Sequence, residues 1–298
     1  MVLDRHYILP SLFILNKIQE DPKLDYSVEL WLNVELKSKI PNLYVNILMN
    51  YVNKSENITI EFFSNSNLIG YKYLTNTAWG KFNALSKSRQ DNPNLLFLDS
   101  DILLLPGWQD IWTHFKDLDF EFGAVKYLGH ENFVESFPGE NGNYYYFNSG
   151  VLLLKSNWWF QQNFNSQWIE LAKLSAKLDF KRLDQDLFNY LIRGNYTELD
   201  KKYNQRPAEF SSSTKILHFA GAAKPWGGFK IISISRNFEQ ETFRQSYLAY
   251  KREYIIFCKQ FVQNFPLTGV LILTSHWIRF TVMNLKNWKR HFLKILHI

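Results

Sequence analysis

Leu95 to Leu105, reading Leu-Leu-Phe-Leu-Asp-Ser-Asp-Ile-Leu-Leu-Leu, restricts the fold of this chain more than any other stretch. Bulky apolar residues flank two carboxylates placed two residues apart, Asp99 and Asp101, with Ser100 between them. In extended backbone alternate side chains share a face, so both acids are expected to point one way. Two unpaired anions in the middle of a sheet are prohibitively costly, which puts them where a strand leaves the core and opens to a ligand. A divalent cation carrying phosphate is the partner that suits them. A surface turn is the alternative, and Asp117 and Asp119 illustrate it: the same spacing follows Lys116 with no strand-like apolar run on either side.

The 298 residues are enough to bury a substantial core, in one large α/β domain or two small ones. A hydrophobic fraction of 46% and an aromatic fraction of 17% fit a globular enzyme and argue against disorder. The single cysteine, Cys258, excludes an intramolecular disulfide framework, leaves too few thiols for a zinc cluster and fits a reducing compartment. Asp4 and Arg5 leave no apolar core of signal-peptide length between Met1 and Pro10, and the apolar stretch Leu267–Leu273 is too short to cross a bilayer. A cytoplasmic protein is expected.

Tyr7–Ile18 has apolar residues at helical spacing after a very short first strand, Met1–Leu3. Tyr26–Val34 reads as a strand, Leu43–Val52 as a helix, Ile58–Phe63 as a strand and Ala78–Ser88 as a helix leading into the Asp99 strand. Such alternation predicts a largely parallel sheet with helices on both faces, whose ligands bind beyond the carboxyl ends of the strands. Gly129–Tyr146, with Pro138-Gly139, Asn141-Gly142 and three consecutive tyrosines, reads as a lid or acceptor-binding segment, the alternative being a disordered surface loop. Val151–Leu154 follows as a strand.

Leu183-Asp184-Gln185-Asp186-Leu187-Phe188 opens an amphipathic helix, where an aspartate suits the N-cap. A cap needs one acid, and here two flank a glutamine. Between Lys215 and Trp226 a short apolar strand delivers His218 to its end, small residues around Gly221 let backbone approach a ligand, and Lys224 is held extended before Pro225. Alone, His218 suits a hydrogen-bonded core position. With Asp99 and Asp101 in the same sheet it suits an octahedral Mn²⁺ or Mg²⁺ carrying a diphosphate.

In this order and spacing, Leu98-Asp99-Ser100-Asp101-Ile102-Leu103, Phe147-Asn148-Ser149-Gly150-Val151, Leu183-Asp184-Gln185-Asp186 and His218-Phe219-Ala220-Gly221 through Lys224-Pro225-Trp226 resemble the family 8 glycosyltransferases. That family includes bacterial lipopolysaccharide α-galactosyltransferases and glycogenin. The resemblance spans Asp4 to Trp226 and implies a GT-A fold, an α/β architecture with a Rossmann-like, mostly parallel mixed sheet flanked by helices. It implies a retaining, metal-dependent transfer of galactose or glucose from a UDP-sugar to a glycan or glycolipid acceptor, as in lipopolysaccharide biosynthesis. A protein-bound glycan is the second acceptor class, and a non-catalytic nucleotide- or carbohydrate-binding protein is the alternative outside the enzymes.

Residue by residue, the resemblance implies that Asp99, Asp101 and His218 hold Mn²⁺ or Mg²⁺, with Asp99 also at the ribose and donor sugar. Gly221 and Lys224 bind the diphosphate; Asp4, His6 and Tyr7 match the nucleotide-binding start, with Tyr7 stacking on uracil. Ser149 and Trp226 fall in the matched motifs and join the donor-binding set. Lys81 stands where an arginine often contacts the donor, and the change loses a bidentate fork. Asn148, Asp184 and Gln185 surround the transferred sugar, and Gln185, Asp184 and Lys224 are the expected catalytic groups. Gln185 is a poor nucleophile, which favours same-face attack over double displacement. The first strand is shorter than the family pattern upstream of Asp4.

After Glu253 there is no acid, while Lys259, Arg279, Lys286, Lys289, Arg290 and Lys294 are basic. The remaining 28 basic residues balance the 28 acids, so the net charge of +6 resides in the tail. Residues 1–253 are the expected catalytic domain and 254–298 a basic helical tail. Ile278, Val282, Leu285, Trp288, Phe292 and Leu296 form its apolar stripe, which either lies on an anionic membrane, peripherally on the inner face, or docks on the body. A neutral body without a recognition module argues against nucleic acid as a partner.

Overall fold

The computed structural model describes residues 1–3, 7–20, 27–33, 42–53, 56–65, 68, 76–87, 93–116, 119–127, 145–178, 180–221, 224–226, 241–266, 269–270 and 273–274. Asp4, His6, most of the expected lid and the apolar stripe of the tail lie outside the described residues.

β1 (Val2–Leu3), β2 (Val28–Asn33) and β3 (Ile58–Phe63) pair in parallel in that order, with α1 (Ile8–Gln19) and α2 (Asn42–Val52) between them in sequence. Ile8 to Leu15 are all buried, so α1 is apolar all round and belongs inside the molecule. Pro10 is tolerated there because it stands in the first turn, where no intrahelical N–H bond is lost.

The order continues with α3 (Gly80–Lys87), β4 (Asn94–Leu98), β5 (Ile102–Leu104), β6 (Phe122–Lys126), β7 (Phe147–Lys155), α4 (Ser156–Gln161), α5 (Phe164–Lys173), α6 (Asp184–Ile192), β8 (Thr197–Glu198), β9 (Ile216–His218) and α7 (Glu241–Asn264). β7 runs antiparallel to both β4 and β6, and β5 runs antiparallel to β9, while the short β6–β8 pair and a single bridge from Gln205 to Leu217 of β9 are parallel. The sheet structure is therefore mixed, parallel in its first part and mainly antiparallel around the site. Val151 and Leu153 enter one core and Leu152 and Leu154 another. An apolar run records such two-sided burial and carries no information about the direction of the neighbouring strand.

Leu95–Leu105 is not one strand. Its first half pairs with β7 and its second with β9, and Asp99-Ser100-Asp101 forms the turn where the chain changes partner. β7 begins earlier than Val151 and carries Asn148, Ser149 and Gly150 within the ladder. α7 runs unbroken past Glu253. Tyr250, Phe257 and Phe261 on either side of that position are buried, and Phe13 of α1 lies 5.3 Å from the Tyr250 ring and 5.5 Å from Phe257. Residues on both sides of the expected domain border thus pack against the same helix.

Candidate functional site

The strand switch builds one end of a cleft of about 420 Å³. The Asp99 N–H donates to the Gly150 carbonyl at 2.8 Å, continuing the β4–β7 pairing, and the Phe219 N–H donates to the Asp101 carbonyl at 2.9 Å beside β9. Each acid is therefore anchored by backbone to a different strand, and His218 arrives at the end of β9 directly across from Ile102. Ligand atoms of Asp99, Asp101 and His218 lie within 4.8 Å of one another. His218 Nε2 is 3.2 Å from Asp101 Oδ1 and 3.7 Å from Asp99 Oδ2. The two acids converge as expected, through a turn in place of the side-chain alternation of one strand.

The charges around them are unequal. Burial, with Asp101 adding to it, raises the Asp99 carboxyl above the usual range against the opposing pull of Lys81 and His218. Burial also works to raise Asp101, but Lys224 and His218 together hold it well below. The Lys224 ammonium contacts Asp101 Oδ2 and donates to the Phe219 carbonyl at 3.0 Å. Two hard carboxylates with one borderline imidazole form a donor set that fits a divalent cation such as Mn²⁺ or Mg²⁺.

Asn148, Ser149, Asp184 and Gln185 meet on the adjoining wall. Gln185 Oε1 accepts from Asn148 Nδ2 at 2.9 Å and from the Ser149 N–H at 3.3 Å. Its Nε2 donates to the Tyr146 hydroxyl at 2.9 Å, which donates to Asp186 Oδ1 at 2.6 Å. Asp184 Oδ2 accepts from Lys81 Nζ at 2.7 Å and from Ser149 Oγ at 3.1 Å. Neither aspartate is a conventional cap: α6 has no side-chain cap bond at Leu183, although Asp186 Oδ2 accepts from the Arg182 N–H at 2.7 Å. Leu183 itself takes φ +36, a strained value for a side-chain-bearing residue, at the entrance to this wall.

Tyr7 and Gly221 also line the cleft. Gly221 has φ +98 with nothing among the described residues within 4 Å of where a Cβ would stand, so among them the backbone is open to a ligand there. Trp226 lies behind this wall, buried, with its ring 5.5 Å from Tyr7 in an edge-on contact. Lys81 faces the cleft, and its ammonium is committed to Asp99, Asp184 and Ser149.

Several contributors carry no mark of their role in the sequence, even where, as with Gly150, they stand inside a motif. A Cβ on Gly150 would fall inside the His218 ring, so this glycine makes room for the imidazole. Asn189 Oδ1 accepts from the Phe147 N–H at 2.9 Å while its Nδ2 donates to the Phe147 and Gln185 carbonyls at 3.0 and 2.8 Å, clamping α6 onto β7. Tyr127, Arg182 and Arg206 close another side, the two guanidinium carbons 5.0 and 5.2 Å from the Tyr127 ring centre. Only the position of Asp186 and Gln185 three and four residues before Asn189 hinted at that clamp.

A family model described as "Glycosyl transferase family 8" matches residues 1–229, well over half of the chain. The chain belongs to glycosyl transferase family 8. This family 8 chain is 28% identical over 219 residues to the lipopolysaccharide 1,2-glucosyltransferase of Escherichia coli, covering 65% of the chain and 60% of that protein. It is 25% identical over 170 residues to the lipopolysaccharide 1,3-galactosyltransferase of Salmonella typhimurium, covering 49% of the chain and 48% of that protein. The chain thus spans less than two thirds of the length of either relative. The solved galactosyltransferase LgtC, in complex with donor and acceptor sugar analogs, matches with a TM-score of 0.57 at 19% identity over 82% of this chain and 92% of LgtC. The likeness shows the fold: the mixed sheets and flanking helices of the family 8 chain are a GT-A fold.

Proposed function

We propose that this family 8 chain is a retaining hexosyltransferase that moves galactose or glucose from a UDP-sugar to a glycan acceptor, in lipopolysaccharide or another surface glycan. The convergence of Asp99, Asp101 and His218 in a cleft that also holds Gln185 and Lys224 supports it above all. These three residues would hold Mn²⁺ or Mg²⁺, which supplies Lewis-acid charge to a departing diphosphate when bound. Lys224 adds a point charge at the same end, and the bare backbone at Gly221 admits phosphate oxygens. Tyr7, braced by Trp226, offers its ring to uracil, with Asp4 and His6 belonging to the same nucleotide-binding start.

Asn148, Asp184 and Gln185 are proposed around the transferred sugar. The Gln185 carbonyl already accepts two hydrogen bonds and Asp184 is ion-paired with Lys81, which makes both poor nucleophiles and supports same-face attack. A sugar trapped covalently on Asp184 or Gln185 would overturn that mechanism. The names of the two lipopolysaccharide relatives support a surface-glycan acceptor and both hexoses as donors.

Among the described residues no helix is long and apolar enough to cross a membrane. Peripheral attachment to an anionic surface is supported by the acid-free basic tail and by Leu248, Ile255 and Ile256, which are 41%, 54% and 46% exposed on α7. Liposome flotation of chains with and without residues 275–298 tests this, and equal binding excludes the tail as the anchor.

The activity is tested by UDP release with Mn²⁺ across a panel of UDP-sugars, using the wild type and Asp101→Ala. Turnover of one donor, lost on substitution and on chelation, is expected. Absence of both metal-dependent release and UDP binding would instead favour a non-catalytic protein.

A further inference from the structure

Asn204 lies outside every motif that the sequence singles out, yet it is 6% exposed and touches the metal end and the sugar end of the cleft at once. Its Nδ2 donates to Asn148 Oδ1 at 2.9 Å, and its Oδ1 stands 2.9 Å from His218 Nδ1. Backbone holds it there. The Gln205 N–H donates to the Ile216 carbonyl at 3.0 Å and the His218 N–H donates to the Gln205 carbonyl at 2.8 Å, which pins the residue after Asn204 along β9.

The direction of each proton in this chain of contacts follows from one backbone group. The Gly150 N–H donates to Asn148 at 2.9 Å, so the atom it meets is the amide oxygen. The Asn204 atom on that same oxygen must then be its NH₂, and the other end of the Asn204 amide must be oxygen. An oxygen facing His218 Nδ1 can only accept, so Nδ1 carries the proton. In the neutral ring Nε2 is left with its lone pair, and Nε2 is the atom directed at Asp101 and Asp99. A lone pair set 3.2 Å from a carboxylate oxygen needs a proton or a metal cation between them, and the convergence of Asp99, Asp101 and His218 suits the metal.

We infer that Asn204 is a positioning residue that fixes His218 in the tautomer able to ligate a divalent cation and, through the same amide, couples that ligand to the sugar-side Asn148. This rests on the proposed Asp99–Asp101–His218 metal set. The Gly150 backbone is the common reference: it sets the Asn148 amide and, having no side chain, leaves room for the His218 ring. Outer groups of this kind, hydrogen-bonded to the far nitrogen of a ligating histidine, typically govern metal affinity by about 10- to 100-fold.

The test is Mn²⁺ affinity of the full chain at one fixed pH, by electron paramagnetic resonance titration, for the wild type, Asn204→Leu and Asn204→Asp. Leucine removes acceptor and donor, and Mn²⁺ binding is expected to weaken by about 10- to 100-fold. Aspartate keeps an acceptor for Nδ1–H and loses the donor to Asn148. Its Mn²⁺ affinity is expected within about threefold of wild type, or tighter, while UDP-sugar binding at saturating Mn²⁺ weakens. Asn204→Leu binding Mn²⁺ like the wild type overturns the inference, as does a folded Asn204→Asp that loses Mn²⁺; the second outcome decides alone if the leucine variant does not fold. A wild type that binds no Mn²⁺ overturns the metal reading and the inference together, whereas a binding wild type with an unaffected leucine variant overturns the inference only.

Discussion

Lys81 is 6% exposed, and its ammonium stands within 3.1 Å of both Asp99 carboxylate oxygens, Asp184 Oδ2 and the carbonyl and hydroxyl oxygens of Ser149. A compact ammonium suits oxygens gathered on several sides better than a planar fork does, which gives lysine a reason to replace arginine here. Burial works against its charge, but Asp184 and Asp99 more than offset that and hold the ammonium protonated well above its ordinary range. Lys81→Met leaves two largely buried carboxylates without their cation and is expected to cost about 3–5 kcal/mol, measured by urea denaturation; a loss within experimental error would contradict this account. Lys251 on α7 is the opposite case. Burial lowers its pKa from 10.5 to about 8. Between those values the unfolded chain binds more protons, so this residue makes stability rise with pH across that window, while below about 8 its unfavourable contribution is constant. Relative to Lys251→Gln, the wild type should gain in urea midpoint between pH 7.5 and 9.5, and parallel midpoints for the two proteins would refute it.

At the level of elements, helical and strand periodicities placed most segments closely: α1 was legible as Tyr7–Ile18, α2 as Leu43–Val52 and β3 as Ile58–Phe63. Segments whose environment is set by distant partners were not. The Leu95–Leu105 run looks continuous because both halves are apolar, and only β7 and β9 show that it must break to pair with each. Likewise the charge change after Glu253 suggested a border inside a helix, since charge reports on the solvent face and Phe257 and Phe261 report on the core face. A chain ending at Glu253 uncovers Phe13 and removes two buried phenylalanines. It also severs the helix at the residue whose carboxylate pairs with Lys17 at 2.8 Å. Compared with a chain ending at residue 274, its melting temperature should fall by about 10 °C or more. Equal melting curves would support the border at 253.

Over the whole molecule, the cleft draws Tyr7, Lys81, Asp99 and Asp101 from the first part of the chain and Asn148, Gln185, His218 and Lys224 from the second. A ligand bridging these groups binds the folded chain and has no counterpart in the unfolded one. UDP with Mn²⁺ at about 100 times the dissociation constant should therefore add about 2.7 kcal/mol of stability. For a chain of this size that is a rise of about 5–10 °C in melting temperature, readable by calorimetry. Chelation should abolish the part that depends on Mn²⁺, and a melting temperature indifferent to both additions would count against the donor site.

By itself the amino-acid sequence determined the family, the order of the strands and helices up to the Asp99 stretch, and the residue types that meet in the cleft, because these depend on local periodicity and on short ordered motifs. Asp99, Asp101, His218, Asn148, Asp184, Gln185 and Lys224 were all visible in that way. Only the tertiary structure decided what orients them. Asn204, Asn189 and Tyr146 act through hydrogen bonds that reach residues far away in the chain, and Gly150 acts by the volume it leaves for an imidazole 68 residues later. Neither a distant hydrogen bond nor an empty volume has a sequence period, so both exist only once the strands have paired.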